Sequence, residues 1–173
     1  MTKKNKIKIW LAIILMLVVY TEVASEKNRL IVLTDIGGDP DDQMSMVRLM
    51  TYANHFNIEG LIATPHGSQN EVSPEHIQRI VSAYGKVRDN MELHEPGYPT
   101  EKYLQECISH GIPFDGMEGV GEEKDSPGSE LLIRAVDRDD KRPLWVTVWG
   151  GPNVLAQALW KVRATRSLEE LQK

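Results

Sequence analysis

The sequence predicts an α/β fold in which a mostly parallel sheet is flanked by helices. Three short apolar runs, at residues 29–34, 58–64 and 143–149, have the length and composition of buried strands. Stretches with apolar residues at helical spacing separate them, and strands that alternate with helices form parallel sheets with helices on their faces. Apolar residues make up 41% and charged residues 26% of the 173-residue chain, which is typical of a globular domain.

The first segment of the chain is predicted to be a targeting signal. Four lysines lie within residues 1–8, twelve uncharged residues follow at 9–20, and small residues precede a candidate cleavage point at Glu26. A permanent membrane anchor needs about 20 apolar residues, so a signal peptide over residues 1–25 is favoured. We therefore expect an exported protein, periplasmic or secreted, whose domain spans residues 26–173 and has no membrane contact after cleavage.

Charge and cysteine content exclude several classes of function. Without residues 1–25 the chain carries 16 basic and 24 acidic residues, so a nucleic-acid or anionic-membrane partner is not expected. The single cysteine, Cys107, excludes a disulfide framework and a four-cysteine zinc site. Two interpretations of Cys107 stay open: a small buried helix residue, or a nucleophile paired with His110. The five histidines do not have the spacing of a zinc motif.

The first half of the domain is predicted to contain two strands and three helices. A helix over 41–55 follows the first strand, and the second strand ends before Pro65. Ser73 and Pro74 begin the next helix, because serine is a favoured N-cap and proline fits the first helical position. That helix is predicted to reach about residue 87, and a weaker one covers 100–110.

The second half is predicted to add one strand and three helices. An acidic, glycine-rich loop at 115–127 precedes a helix over 129–136, and the third strand covers 143–149. Two helices follow, at 153–162 and 167–173, the second of which begins with a Ser–Glu capping box. Three parallel strands make a small sheet, so we expect the chain to hold only the N-terminal part of a larger domain.

The loop after the first strand places four carboxylates within eight residues. These are Asp35, Asp39, Asp41 and Asp42. Acids at a helix N-terminus each gain about 0.3–1 kcal/mol from the helix dipole, which accounts for one or two of them. Two carboxylates about 4 Å apart repel by about 4 kcal/mol at an effective dielectric constant of 20, so a cluster must open into water, share protons or bind a cation. Oxygen ligands favour a hard cation, Ca²⁺ or Mg²⁺, and a solvated acidic turn is the alternative.

Three segments are expected to meet at the ligand-binding edge of the sheet. In α/β sheets ligands bind beyond the carboxyl ends of the strands, which here selects residues 35–42, 64–70 and 148–153. His66 follows the second strand and either lines this site or lies on a surface loop. Trp145 and Trp149 share one face of the third strand, where core packing is the default and Trp149 has stacking on a base or sugar as its alternative.

Several of these segments resemble one protein family. The run LIVLTDIGGDPDD at residues 30–42 resembles the N-terminal aspartate motif of the nucleoside hydrolases. Its T-D-x-G-G-D-P-D-D form is more similar to the nucleoside-hydrolase-like domain of secreted, cellulose-associated bacterial proteins. The resemblance continues through residues 59–64, 94–99, 116–122 and 143–153, and it covers nearly all of residues 29–173.

The resemblance implies roles for individual residues. Asp35 would ligate Ca²⁺ and act as general base on the metal-bound water, Asp42 would be a second calcium ligand, and Asp41 would contact a sugar hydroxyl. A backbone carbonyl at Val148, or at Trp149, would complete the ion's shell. Ser68 and Asn70 stand where the nucleoside hydrolases have sugar-contacting residues, and with Trp149 they are candidate substrate contacts.

The implied function is an exported, calcium-dependent domain that hydrolyses an N-glycosidic bond of a small nucleoside or carbohydrate. The family's C-terminal half supplies further ligands and a proton donor that this chain does not contain. Three alternatives therefore stay open: a non-catalytic carbohydrate- or cell-wall-associated module, a truncated inactive fragment, and a calcium-stabilised interaction domain.

Overall fold

The computed structural model describes residues 26–66 and 71–172, which form a four-stranded, all-parallel sheet. The strands are β1 (Asn28–Thr34), β2 (Phe56–Ala63), β3 (Ile108–His110) and β4 (Leu144–Val148). They are arranged in the order β3-β2-β1-β4, so the first strand of the chain lies inside the sheet. The predicted α/β fold is confirmed.

Helices connect the strands and cover both faces of the sheet. They are α1 (Pro40–Thr51), α2 (Pro74–Gly85), α3 (Arg88–His94), α4 (Glu101–Glu106), α5 (Pro127–Val136), α6 (Asn153–Thr165) and α7 (Leu168–Leu171). Two short 3₁₀ helices lie at Ala53–His55 and Gly116–Gly119. Within the described ranges, every helix is too short or too polar to cross a lipid bilayer.

The core is divided by the sheet into two layers. Because successive side chains of a strand point to opposite faces, β1 directs Leu30 and Val32 to one layer and Ile31 and Leu33 to the other. Helices α1, α2 and α4 contribute to the first layer, whereas α5 and α6 contribute to the second. The same alternation explains why β1 reads as an unbroken apolar run: it is buried on both sides.

Strand β3 was not predicted from the sequence. The expected helix over 100–110 is wrong in its second half, because α4 ends at Glu106 and Ile108–His110 pairs with β2 as a parallel edge strand. A three-residue strand with one apolar residue has no periodicity to detect. The helix expected over 41–55 also ends earlier, at Thr51, and α3 was not predicted.

The two predicted serine caps differ in outcome. Ser167 and Glu170 form the expected capping box of α7. Ser73 occupies the N-cap position of α2, with proline next to it, but its hydroxyl makes no cap hydrogen bond. That hydroxyl lies 3.2 Å from Nε2 of His66 instead. Ser73 therefore contacts a side chain outside the helix and does not cap α2.

The expectation that Trp145 in β4 and Trp149, directly after it, both pack in the core is wrong for Trp145. In the described sheet β4 pairs only with β1 and forms an edge. Trp145 is 57% exposed there, whereas Trp149 is half-buried and packs against the first core layer. The two side chains, with Leu49 and Phe56, line a shallow groove on that face of the sheet.

Candidate functional site

Three strand ends meet at the carboxyl edge of the sheet. The backbone N–H of Thr64 donates to the carbonyl of Thr34 at 2.8 Å, and that of Trp149 donates to the carbonyl of Leu33 at 2.9 Å. The Thr64 hydroxyl donates to the carbonyl of Gly150 at 2.9 Å, which joins the ends of β2 and β4. The carboxyl edge therefore brings together the segments that follow β1, β2 and β4.

A tight turn returns the acidic loop to the end of β1. Asp35 directly follows β1, and its carbonyl accepts a hydrogen bond from the Gly38 N–H at 3.3 Å. Gly37 has φ +114°, a conformation that side chains with a Cβ rarely adopt, so glycine is needed there. Helix α1 begins at Pro40, and Asp42 in its first turn faces back toward β1.

Asp42 is the most buried acid of the loop, with 6% of its surface exposed. Its Oδ2 accepts a hydrogen bond from the Thr34 hydroxyl at 2.5 Å. Burial raises the pKa of Asp42, the Thr34 hydrogen bond opposes that change, and the neighbouring carboxyl of Asp35 raises the pKa further. The carboxyl groups of Asp35 and Asp42 are therefore neighbours.

Asp35 lies between the acidic loop and the segment after β4. Its carboxyl group is half-buried and rests against Gly150, where an added Cβ would overlap the carboxyl atoms. The absence of a side chain at Gly150 therefore makes room for Asp35. The sequence did not single out Gly150 by itself, because its place beside Asp35 depends on a contact across the sheet.

The other two acids of the loop face water. Asp41 is exposed, and its Oδ1 accepts a hydrogen bond from the backbone N–H of Asp42 at 3.0 Å. Asp39 is exposed at the N-cap of α1 and makes no side-chain cap hydrogen bond. The four carboxylates thus separate into an inner pair, Asp35 and Asp42, and an outer pair.

The other predicted site residues, Val148, Trp149, Ser68 and Asn70, do not belong to the acidic loop. Leu33 pairs with Val148 in the parallel ladder, and the N–H of Trp149 points to β1. Peptide groups alternate in direction along a strand, so the N–H and the carbonyl of Val148 point away from β1. Ser68 and Asn70 lie outside the described residues.

The inner pair offers two carboxylates, which is fewer than a hard-cation site needs. Across residues 26–66 and 71–172, no group of three His, Cys, Asp or Glu side chains is close enough to hold a metal ion. Ca²⁺ takes six to eight oxygen ligands, which include backbone carbonyls and waters as well as carboxylates. Asp35 and Asp42 fit such a site as two adjacent carboxylates, and the other ligands must come from elsewhere.

His66 lies inside the site and not on the surface. It is 8% exposed, and its ring packs against the glycines of the acidic loop. Cys107, in contrast, is buried away from His110: its thiol donates to the carbonyl of Ile58 at 3.4 Å. Burial raises the pKa of Cys107 to about 11, so the nucleophile interpretation is not supported.

Comparison with known proteins identifies the family. Residues 29–173 match the family model described as cellulose-binding Sde182, nucleoside hydrolase-like domain. The chain belongs to this family. The sequence resemblance described above is thereby confirmed over the whole described domain, and no curated protein is significantly similar to the chain.

One solved structure is similar in both sequence and fold. It is described as a nucleoside hydrolase-related hypothetical protein from Saccharophagus degradans that is associated with carbohydrate metabolism. The two chains are 42% identical, with a TM-score of 0.77, over 84% of this chain and 36% of the other. The present chain thus spans about a third of that relative, which agrees with the expectation of an incomplete domain.

Proposed function

We propose that this Sde182-type, nucleoside hydrolase-like domain forms the N-terminal part of an exported, Ca²⁺-dependent hydrolase that cleaves an N-glycosidic bond. The observation that carries the proposal is the inner pair of acids at the carboxyl edge, where Asp42 is held by Thr34 and Asp35 rests against Gly150. Residues 1–25 would direct export and be removed. The substrate would be a small nucleoside or carbohydrate.

Each residue of the site has a part in this chemistry. Asp35 would accept the proton of the attacking water as the water oxygen bonds to the anomeric carbon and the C–N bond breaks. The leaving nitrogen would keep the electron pair of that bond and take a proton from solvent or from a donor in the rest of the longer protein. Asp42 and Asp35 would hold the ion, and Asp41, exposed beside them, would contact a sugar hydroxyl. When bound, Ca²⁺ would lower the pKa of a coordinated water and orient the sugar diol. The strand register favours Trp149 over Val148 as a source of a carbonyl ligand.

Calcium binding by the longer protein, whose remaining part would supply the other ligands, is the direct test. Titration calorimetry with Ca²⁺ should give saturable binding to the wild-type protein and none to Asp35→Asn or Asp42→Asn. Asp39→Asn, which removes an exposed carboxylate from the same loop, should bind as the wild type does. Absence of binding to the wild type would contradict the proposal. In the longer protein, Asp35→Ala should abolish nucleoside hydrolysis, and retained turnover would exclude Asp35 as the base.

A second function, carbohydrate binding without catalysis, is favoured by the exposed tryptophan face of β4. Trp145 and Trp149 lie on the same side of this edge strand, and Trp145 is 57% exposed. Large flat aromatic rings provide apolar area at little cost in conformational entropy, which suits them to stacking on sugar rings. In this case the acids would serve only to stabilise the fold through an ion.

Binding to insoluble cellulose would test this alternative. Trp145→Ala and Trp149→Ala should release the protein from cellulose in a sedimentation assay. Trp160→Ala is the matched control, because Trp160 is 41% exposed on α6 and does not line the same groove. Equal retention of all three variants, or no retention of the wild type, would exclude this face as a cellulose-binding surface.

A further inference from the structure

We propose that His66 is a positioning residue, which together with Ser73 holds the acidic loop so that Asp35 and Asp42 face one another. This inference rests on the proposed function, because it assigns a residue that prepares the same inner pair of acids for a cation. His66 touches neither carboxylate through a hydrogen bond that would make it a ligand or a base. Its contacts are with the turn between them.

The first observation is the packing of the His66 ring against the two glycines of the turn. A Cβ built on Gly37 would lie 3.0 Å from Nε2 and 3.3 Å from Cδ2 of His66. A Cβ built on Gly38 would lie 3.3 Å from the Cβ of His66. The ring therefore fills the space beside the turn, which glycine residues alone would leave free to adopt several conformations.

The second observation is the position of the Ser73 hydroxyl. It stands at the N-cap of α2, where a serine oxygen normally accepts a hydrogen bond from the first turn of the helix, yet it makes no such bond. It lies 3.2 Å from Nε2 of His66, and the Cβ of Ser73 also packs within 3.3 Å of a Cβ built on Gly37. Ser73 thus orients the ring and closes the other side of the turn.

The backbone of His66 is itself fixed. Its N–H donates to the carbonyl of Glu71 at 3.0 Å in an antiparallel bridge, and the residue is buried at the end of β2. Thr64, two residues earlier, is tied to both β1 and the segment after β4. The His66 ring is therefore attached to the same carboxyl edge of the sheet as the acids. Its fixed position holds the acidic loop in a fixed place relative to the sheet.

Residues that orient metal ligands from behind have a characteristic effect when they are removed. Loss of such a contact weakens metal affinity by about 10- to 100-fold while the ligands themselves remain. We expect His66→Ala and Ser73→Ala to weaken Ca²⁺ binding within this range. His66→Gln should recover most of the affinity, because the glutamine amide nitrogen reaches the place of Nε2 and can pair with Ser73.

The control is a second serine with the same sequence context. Ser126 also precedes a proline at a helix start, but its hydroxyl does cap α5 by accepting from the N–H of Ser129 at 3.0 Å. Ser126→Ala should lower the unfolding midpoint more than Ser73→Ala does, and it should leave Ca²⁺ affinity unchanged. If Ser73 had a purely structural role, Ser73→Ala would lower the unfolding midpoint more than Ser126→Ala does.

The experiment combines calcium titration calorimetry with amide hydrogen exchange of the metal-free protein. Equal Ca²⁺ affinity in the wild type, His66→Ala and Ser73→Ala would overturn the proposal, as would failure of His66→Gln to recover affinity while remaining folded. If the wild type binds no Ca²⁺, the proposed function fails and exchange at the Gly38 amide decides the positioning role. Faster exchange there in Ser73→Ala, with core amides of β1 unchanged, supports it, and unchanged exchange refutes it.

Discussion

The Thr34 hydroxyl donates a 2.5 Å hydrogen bond to the buried carboxyl group of Asp42. Thr34 is the last residue of β1, and Asp42 lies in the first turn of α1, so this bond closes the acidic loop at its base. It leaves Asp35, between them in sequence, beside a carboxyl group that is partly desolvated. The pKa of Asp42 is therefore expected to depend on whether a cation occupies the proposed site.

The raised pKa of Asp42 gives stability a defined pH dependence. Because burial and the Asp35 carboxyl raise its pKa in the folded state, the folded protein binds a proton more tightly than the unfolded chain. Without metal, this group makes stability fall as pH rises from about 3.9, the ordinary aspartate pKa, through the raised folded pKa. Asp42→Asn should remove that fall and be more stable than wild type above this window, as measured by urea unfolding at a series of pH values.

The effect of Ca²⁺ on the same measurement provides the control. A bound cation favours the ionised carboxylate, so saturating Ca²⁺ should reverse the loss of stability in the wild type and leave Asp42→Asn unaffected. A stability difference between the wild type and Asp42→Asn that stays constant across the window without metal would contradict the raised pKa. Asp39→Asn should follow the wild-type curve, since Asp39 is exposed.

Gly150→Ala tests the contact that makes room for Asp35. The new methyl group would overlap the Asp35 carboxyl, which must then leave its place beside Asp42. We expect Ca²⁺ affinity to fall by about 10-fold or more, as for other losses of ligand orientation. Gly85→Ala is the matched control, because its methyl group would meet the carboxyl of Glu101 far from the site. Equal calcium affinity in both variants would show that Asp35 has no fixed position.

Much of this arrangement could be predicted from local sequence. The strands β1, β2 and β4 are apolar runs long enough to be distinguished, and their alternation with helices predicted the parallel sheet. The meeting of the three strand ends followed from the topology, since parallel strands place their carboxyl ends at one edge. The inner pair, Asp35 and Asp42, lies in the loop that the acid content and the family resemblance both selected.

The parts that were not predicted depend on contacts between distant residues. Ile108–His110 becomes a strand only because β2 offers an unpaired edge. Ser73 has the sequence pattern of a helix cap, although its hydroxyl pairs with the ring of His66. Trp145 was expected in the core because tryptophans usually bury their rings. Its exposure follows from the position of β4 at the edge of the described sheet, which no local pattern records.

A buried ion pair at the amino end of the sheet is predicted to support stability independently of the site. The ladder between β1 and β2 is irregular after Leu30, and Glu59 accepts from Nε and Nη2 of Arg29 at 2.8 and 3.0 Å. Glu59→Ala would leave the buried guanidinium of Arg29 without its hydrogen-bonded carboxylate, with Asp140 at 3.7 Å from Nε as the remaining acidic neighbour. We expect a loss of about 3–5 kcal/mol in the free energy of unfolding, measured by urea denaturation.

An exposed pair provides the comparison for Glu59. Lys102 and Glu106 lie 3.9 Å apart on α4 with most of both side chains in water. Glu106→Ala should therefore cost less than about 1 kcal/mol. Calcium affinity should be unchanged in both variants that remain folded. If Glu59→Ala and Glu106→Ala lowered the free energy of unfolding by similarly small amounts, water would be solvating the Arg29 guanidinium in place of Glu59.

The thiol of Cys107 is predicted to be unreactive in the folded protein. Burial raises its pKa to about 11, and its hydrogen bond is to the carbonyl of Ile58 and not to His110, whose Nδ1 lies 2.8 Å from the carbonyl of Gly111. At pH 8 only about one thiol in a thousand would be ionised, and the thiolate is the form that reacts. Alkylation by iodoacetamide, followed by mass spectrometry, should be slow for the native protein and rapid in urea. Rapid native alkylation that His110→Ala abolishes would restore the nucleophile interpretation.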